Sequence, residues 1–167
     1  MKVLSIDPGF ERLGIAVLDG DASQPNVLYS ACFKTSPKDS FEKRLGLIGE
    51  ELVYIIKKFK PEALAIETLF FTTNQKTAMR VAEVRGAIIY LAVSNNLSVS
   101  EYTPLQIKIA VTGYGRADKK QIISMISRVA PIRKGALDDE YDAIAVGITH
   151  LASYKTVAFK KTLGSKG

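Results

Sequence analysis

Short apolar runs separated by turn residues open the chain and predict three β-strands. The first run, residues 3–6, ends at Pro8 and Gly9, because proline cannot continue the hydrogen-bond ladder of a strand. Residues 13–18 (LGIAVL) form the second predicted strand, and residues 27–35 form the third, with side chains alternating between two faces. Because the turns between these runs are short, we expect an antiparallel meander.

The rest of the chain alternates helical periodicity with two further apolar runs, at residues 63–67 and 97–102, which predict two more strands. The predicted helices run from a cap at Asp39 or Ser40 to Pro61, from a cap at Thr73 or Asn74 to about Asn95, over residues 105–111, from a capping-box start at Asp118 and Gln121, and over residues 137–154. We therefore expect one α/β domain over residues 1–154, followed by a basic, flexible tail over residues 155–167.

Small residues recur along one stripe of the long predicted helix. Ala78, Ala82 and Gly86 follow one another at four-residue steps. A glycine inside a helix costs about 1 kcal/mol relative to alanine, and close approach of another element is the usual compensation. The pattern leaves open whether that element is the protein's own sheet or a second subunit.

Composition narrows the class of partner. The chain has 167 residues, a formal net charge of +6 and a pI near 9.4. Nucleic acid is the leading partner class for such a surface, although other basic proteins share it. The single cysteine, Cys32, excludes an intramolecular disulfide and predicts a buried thiol in a reducing compartment. No apolar run approaches the ~20 residues that a membrane span needs, and we expect a cytoplasmic protein.

Four carboxylates occupy positions at which they could meet. Asp7 and Glu67 each end a predicted strand, and Asp139 and Asp142 lie three residues apart on one face of the last helix. A plainer interpretation makes Asp7 a turn residue, and acidic residues in a first helical turn favour the helix dipole. If the two strands run parallel and the helix crosses their edge, all four carboxylates form one cluster.

Such a cluster suits hard divalent cations with oxygen ligands, Mg²⁺ foremost and Mn²⁺ next. In a phosphodiester-cleaving enzyme, two such ions about 3.5–4 Å apart would activate a water and stabilise the leaving oxygen. The chain has no Ser-His-Asp order, Cys-His pair or phosphate-binding GxxxxGK[ST] loop. The only histidine, His150, lies late in the last helix, where we expect a structural role.

Ordered motifs run along nearly the whole chain. They are IDPG at residues 6–9, IE at residues 66–67, EYTPLQIK at residues 101–108, GYGRADKKQ at residues 113–121 and DEYDAIAVGITH at residues 139–150. Together they resemble the RuvC family of Holliday-junction resolvases. The resemblance implies an RNase H-like fold, with a five-stranded mixed sheet flanked by helices on both faces. IDPG alone is weak, because related nuclease-like and actin-like folds use similar strand ends.

The resemblance also assigns roles to single residues. Asp7, Glu67, Asp139 and Asp142 would be the metal-binding catalytic acids, although some family members have histidine at the position of Asp139. Phe70 matches an aromatic residue that the family places against an unpaired base at the crossover. Lys108 and Lys119 match basic residues near the scissile phosphate, and weaker candidates for contacts with DNA phosphates are Arg80, Arg85, Arg116 and Lys120.

The activity implied by this resemblance is the resolution of four-way (Holliday) DNA junctions by paired symmetric nicks during homologous recombination and DNA repair. Cleavage would need Mg²⁺, with Mn²⁺ as a substitute and two ions per site, and would leave 5′-phosphate and 3′-hydroxyl ends. Two symmetric cuts suit a C₂ homodimer, and the helix with the small-residue stripe is the expected interface. A junction-binding and branch-migration complex of the RuvA-RuvB type is the implied partner.

Three alternatives remain open. A nucleic-acid-binding module without catalysis would gain nothing from four carboxylates that face phosphates. An actin-like phosphotransferase would need a duplicated domain, and the chain shows no internal repeat. A YqgF-like relative that acts on RNA would lack the helix-borne acidic run.

Overall fold

Strand pairing in the computed structural model confirms the predicted meander. The structure describes residues 1–69, 75–133 and 135–164. The elements in chain order are β1 (Val3–Asp7), β2 (Arg12–Asp21), β3 (Gln24–Lys34), α1 (Phe41–Phe59), β4 (Ala63–Glu67), α2 (Gln75–Ser94), β5 (Ser98–Tyr102), α3 (Pro104–Thr112), α4 (Lys119–Val129) and α5 (Asp138–Gly164).

The sheet has five strands in the order β3-β2-β1-β4-β5. The pairs β1–β2 and β2–β3 are antiparallel, whereas β1–β4 and β4–β5 are parallel. Ile6 lies beside Ile66 in the parallel pair, and both strands run one residue further, to Asp7 and Glu67. The predicted mixed five-stranded sheet is therefore confirmed, and its two central strands deliver carboxylates to the same edge.

Helices cover both faces of the sheet, as predicted. Alternate residues of β1 enter two separate apolar clusters, with Val3 in one and Leu4 and Ile6 in the other. The cluster around Leu4 is completed by α1 and α2, and the cluster around Val3 by α3, α4 and α5. A strand that is buried on both faces explains why β1 reads as a continuous apolar run.

Local sequence signals set most helix starts. Ser40 caps α1 by accepting a hydrogen bond from the Lys43 N–H, which resolves the choice between Asp39 and Ser40. Asp118 and Gln121 form the predicted capping box of α4. A second capping box, between Thr103 and Gln106, starts α3. Thr73 and Asn74, the predicted caps of α2, lie outside the described residues.

Two sequence predictions differ from the structure. The helix α5 continues to Gly164, beyond its predicted end at about Tyr154; a flexible tail over residues 155–167 stays a prediction. The expectation of a buried Cys32 is wrong, because its strand, β3, is an edge strand of the sheet and the side chain is half-buried. Within the described ranges, no helix combines the length and apolarity that crossing a bilayer requires.

The small-residue stripe of α2 faces away from the protein's own sheet. Val84, Ile88 and Ala92 form the buried face of the helix, whereas Ala82 and Gly86 are exposed. A Cβ atom added to Gly86 would meet nothing within 4 Å. Packing of this stripe against the sheet, one of the two sequence-based options, is therefore excluded.

A buried carboxylate fastens the start of α5 to the sheet. Glu140 is 0% exposed and accepts hydrogen bonds from the Leu137 N–H at 3.0 Å, the Ser30 hydroxyl at 2.8 Å and the Arg133 guanidinium at 2.6 Å. Burial would raise the pKa of Glu140, but these three donors outweigh that effect and lower it. The sequence pattern offered only the helix dipole as a role for this residue.

We expect Glu140→Ala to destabilise the fold by about 2–3 kcal/mol, because it leaves a hydroxyl, a backbone N–H and a guanidinium without their acceptor. Urea unfolding followed by circular dichroism measures this loss. Asp138→Ala is the matched control, since Asp138 lies in the same helical turn and is 66% exposed. Its expected cost is below about 1 kcal/mol, and equal costs for the two variants would contradict the anchoring role.

Candidate active site

The acidic edge of the sheet is built on its two central parallel strands. Asp7 ends β1 and Glu67 ends β4, and both side chains are half-buried. Both strands are buried along the rest of their length, so the two carboxylates stand on a rigid base. Pro8 and Gly9 follow Asp7 directly and turn the chain away from the sheet.

A glycine lets the last helix approach this edge. Gly14 pairs with Asp7 across β1 and β2. A Cβ atom at Gly14 would clash with the Asp139 carbonyl oxygen and would lie 3.1 Å from the Asp7 Cβ. The first turn of α5 therefore rests against β2 beside Asp7, and the helix brings Asp139 and Asp142 to the same edge.

Mutual repulsion and burial perturb three of the four carboxylates. Burial, followed by the charges of Asp142 and Asp139, raises the pKa of Asp7 to about 6. Burial, followed by the charges of Asp7 and Asp142, raises the pKa of Glu67 to about 7. Burial also raises the pKa of Asp142, against the opposing effect of Lys119. The predicted acids thus lie close enough to repel one another.

The fourth carboxylate, Asp139, is compensated by an arginine. The Arg12 Nε donates to Asp139 Oδ2 at 3.0 Å, and Arg12 Nη2 contacts the same oxygen. Burial would raise the pKa of Asp139, but the hydrogen bonds and charge of Arg12 help to lower it overall. The neighbouring Cys32 thiol also helps to lower the pKa of this carboxylate.

Lys119 occupies the other flank of the cluster. Its Nζ lies 3.0 Å from Asp142 Oδ2 and 3.4 Å from Asp138 Oδ2. A cavity of about 290 Å³ opens here, and its polar walls are Glu67, Lys108, Lys119 and Asp142. Two predicted acids and two predicted basic residues therefore line one cavity.

The donor set suits a hard divalent cation, because carboxylate oxygens face one another and repel without one. Among the residues that the structure describes, no three histidine, cysteine or acidic side chains stand close enough together to enclose one ion. Arg12 and Lys119 hold Asp139 and Asp142 toward the flanks of the cluster. Binding a cation between the acids thus requires these side chains to move.

The remaining predicted DNA contacts fall in different surroundings. Arg116 and Lys120 are exposed beside the cavity-lining segment. Arg80 is exposed but lies over the Phe41 ring at 4.1 Å and pairs with Glu83 at 3.0 Å. Phe70 lies outside the described residues.

Arg85, another of the weaker DNA candidates, makes contacts within the protein. Its side chain is only 17% exposed and pairs with Glu101. Its Nε donates to the Glu67 carbonyl oxygen at 3.3 Å. Arg85 therefore supports the end of β4 from within the protein, where a DNA phosphate would have to displace it from two partners.

His150 has the structural role expected for it. Its side chain is buried, and Nδ1 lies 2.9 Å from the Tyr102 hydroxyl. Burial lowers the pKa of His150, because removal from water disfavours the charged ring. The pair links α5 to β5.

Sequence reasoning missed two residues of the site, Arg12 and Gly14. A glycine inside an apolar strand pattern indicates close approach of another backbone, so Gly14 carried a usable signal. Arg12 carried none, because its partner Asp139 is 127 residues away in the chain.

Comparison with known proteins agrees with this geometry. The family model described as crossover junction endodeoxyribonuclease RuvC matches residues 3–150. A RuvC from Fusobacterium nucleatum is 41% identical over 92% of this chain and 81% of its own length. The structure of Thermus thermophilus RuvC in complex with a Holliday junction substrate superposes with a TM-score of 0.88, at 30% identity, over 93% of this chain and 96% of the other.

A more distant structure extends the likeness of fold. The yeast mitochondrial Holliday junction resolvase superposes with a TM-score of 0.68 at 12% identity, over 89% of this chain and 77% of the other. The sheet order, with an acidic edge crossed by the last helix, defines an RNase H-like nuclease. The chain belongs to the RuvC family of crossover junction endodeoxyribonucleases, which confirms the resemblance found in the sequence.

We expect Asp7 and Glu67 to reduce the stability of the metal-free protein as pH rises through the carboxylate range. The pKa values of Asp7, about 6, and Glu67, about 7, lie above the ordinary values of 3.8 and 4.5. Between those limits the folded protein binds more protons than the unfolded chain, so these groups lower the free energy of unfolding as pH increases.

Asp7→Asn mimics the protonated acid and should remove the contribution of Asp7 to this loss. In chelator, the variant should exceed the wild type in stability by about 3 kcal/mol at pH 8, since the pKa of Asp7 rises from 3.8 to about 6 and one pKa unit corresponds to about 1.4 kcal/mol. Its advantage should shrink toward pH 4. Urea unfolding at both pH values measures the difference, and a variant less stable than the wild type at pH 8 would contradict it.

Proposed function

We propose that the protein is a structure-selective endonuclease that resolves four-way (Holliday) DNA junctions by paired symmetric nicks during homologous recombination and DNA repair. The convergence of Asp7, Glu67, Asp139 and Asp142 at one edge of the sheet carries this proposal. Membership of the RuvC family supports it, and the net charge of +6 suits a polyanionic substrate.

The four acids are the groups that would hold Mg²⁺, or Mn²⁺ as a substitute, with two ions per site. Bound ions would supply water activation and stabilisation of the leaving oxygen, which yields 5′-phosphate and 3′-hydroxyl ends. The raised pKa values of Asp7 and Glu67 support this assignment, because a bound cation would compensate both the burial and the like charges that raise them.

The basic residues around the cluster would position DNA. Lys108 and Lys119 share the cavity of Glu67 and Asp142, which suits contact with the phosphate that is cut. Arg116 and Lys120 are exposed on the following segment and suit contacts further along the backbone. From the sequence motif, Phe70 would stack on an unpaired base at the crossover, and Arg80 would bind a neighbouring phosphate.

A homodimer would supply the second, symmetric cut. The exposed face of α2 suits the interface, because Met79, Tyr90 and Val93 lie exposed on the helix that carries Ala82 and Gly86. Small residues on such a face let two helices approach closely. A cytoplasmic setting and cooperation with a junction-binding complex of the RuvA-RuvB type belong to the same proposal.

Cleavage of synthetic DNA tests the activity. With Mg²⁺ or Mn²⁺, we expect paired symmetric nicks in a labelled four-way junction, little cutting of linear duplex or RNA, and none in chelator. Glu67→Gln should reduce the rate by about 100-fold or more, in line with the loss of a group aimed at the transition state.

Glu62→Gln makes the same chemical change at the opposite end of β4, where Glu62 accepts a hydrogen bond from the Lys2 N–H at 2.9 Å. This control should cut at the wild-type rate. Equal cutting of junction and linear duplex would contradict junction selectivity. Full activity of Glu67→Gln would contradict the role of the acidic edge.

Gly86→Glu tests the interface. A Cβ atom at Gly86 meets nothing within 4 Å in the protomer and the position is exposed, so the variant should fold, but two like charges across the axis cost on the order of several kcal/mol. Sedimentation velocity should show protomers for the variant and dimers for the wild type. Tyr54→Glu, at an exposed position on α1, should stay dimeric, and a dimeric Gly86→Glu protein would exclude this face.

A further inference from the structure

Arg12 stands at the margin of the acidic cluster with its charge directed at one carboxylate. β2 begins at Arg12, directly after a turn so tight that a Cβ atom on Gly9 would clash with the Arg12 carbonyl oxygen. The Arg12 side chain is 48% exposed, whereas Asp139 is 19% exposed. Nε and Nη2 both contact Oδ2 of Asp139, and Nε lies 3.0 Å from it.

This contact gives Asp139 a cationic partner on β2, just as Lys119 gives one to Asp142. The Arg12 guanidinium stays protonated at any pH that the protein survives, so Asp139 faces a permanent positive charge. Arg12 therefore occupies the position of a counter-ion to the cluster.

We propose that Arg12 is a built-in counter-ion of Asp139 that a divalent cation must displace, so that Arg12 sets how tightly the cluster binds metal. This inference rests on the proposed metal-dependent function. None of the sequence motifs indicated Arg12. In this inference, Arg12 acts on Asp139, one of the proposed metal ligands.

The geometry supports competition between the Arg12 guanidinium and a divalent metal ion for Asp139. As the side chains stand, no three acidic, histidine or cysteine groups in the described part of the chain enclose one ion. Both nitrogens of Arg12 that contact Asp139 use Oδ2, so this oxygen turns toward the guanidinium. A cation that recruits Oδ2 therefore displaces Arg12.

The strength of the pair is compatible with displacement. Exposed ion pairs contribute little to stability because water and salt screen them, and Arg12 is half exposed. A divalent cation bound by several carboxylates gains far more than one such pair loses. Arg12 thus neutralises part of the metal-free cluster and still yields to the metal.

Mn²⁺ titration of the full chain tests the inference, with free Mn²⁺ measured by electron paramagnetic resonance in the absence of DNA. Arg12→Gln removes the competing charge and should bind Mn²⁺ about two- to five-fold more tightly, the range that loss of a half-exposed ion pair allows. Arg12→Lys retains the charge and should return the affinity close to the wild-type value. Circular dichroism in chelator checks that each variant is folded.

Lys34→Gln separates direct competition from a general change of charge. Lys34 pairs with Arg12 across β2 and β3 and is exposed. The substitution removes the same unit charge from the neighbouring strand and should leave the Mn²⁺ affinity at the wild-type value, since exposed charges are screened over about 10 Å.

Unchanged or weaker Mn²⁺ binding by Arg12→Gln would overturn the inference and leave the proposed nuclease function intact. An equal gain in affinity for Lys34→Gln would also overturn it, because charge alone would then explain the effect. Absence of Mn²⁺ binding by the wild type would overturn the metal-dependent function and this inference together.

Discussion

Repulsion among carboxylates at one edge of the sheet is the constraint on which the rest of the structure depends. Asp7 and Glu67 end neighbouring parallel strands, and their pKa values rise to about 6 and about 7 because burial and like charges surround them. A flexible scaffold would relax by letting these groups separate. Here the two strands are central in the sheet and apolar clusters cover both faces, so the two carboxylates are held at the same edge.

The helix α5 completes the site because it packs unusually close to the sheet. Gly14 admits the backbone at Asp139, and a Cβ atom on Gly147 would lie 2.6 Å from Leu18 Cδ1 and 2.8 Å from Ser5 Oγ. The buried carboxylate of Glu140 then fastens the first turn. Two neighbouring acidic residues in one helical turn therefore differ in role. Glu140 stabilises the fold, whereas Asp139 lies at the acidic cluster.

Support for the other side of the cluster comes from α2. Arg85 donates to the Glu67 carbonyl oxygen at 3.3 Å and pairs with Glu101, and so connects the helix to the ends of β4 and β5. The outer face of the same helix exposes Ala82 and Gly86. A partner subunit on that outer face would contact the same helix whose Arg85 side chain reaches the end of β4, where Glu67 lies.

The sequence by itself determined the elements and their order, since strand alternation, helical spacing and caps are local properties, and it predicted that four acids share one edge of the sheet. Asp7 and Glu67 could be assigned because parallel strands end at a common edge. Tertiary structure alone decided the pairing of Arg12 with Asp139, the burial of Glu140 and the outward direction of Gly86. Each of these depends on contacts between segments far apart in the chain. A local sequence pattern does not show which distant segments come into contact.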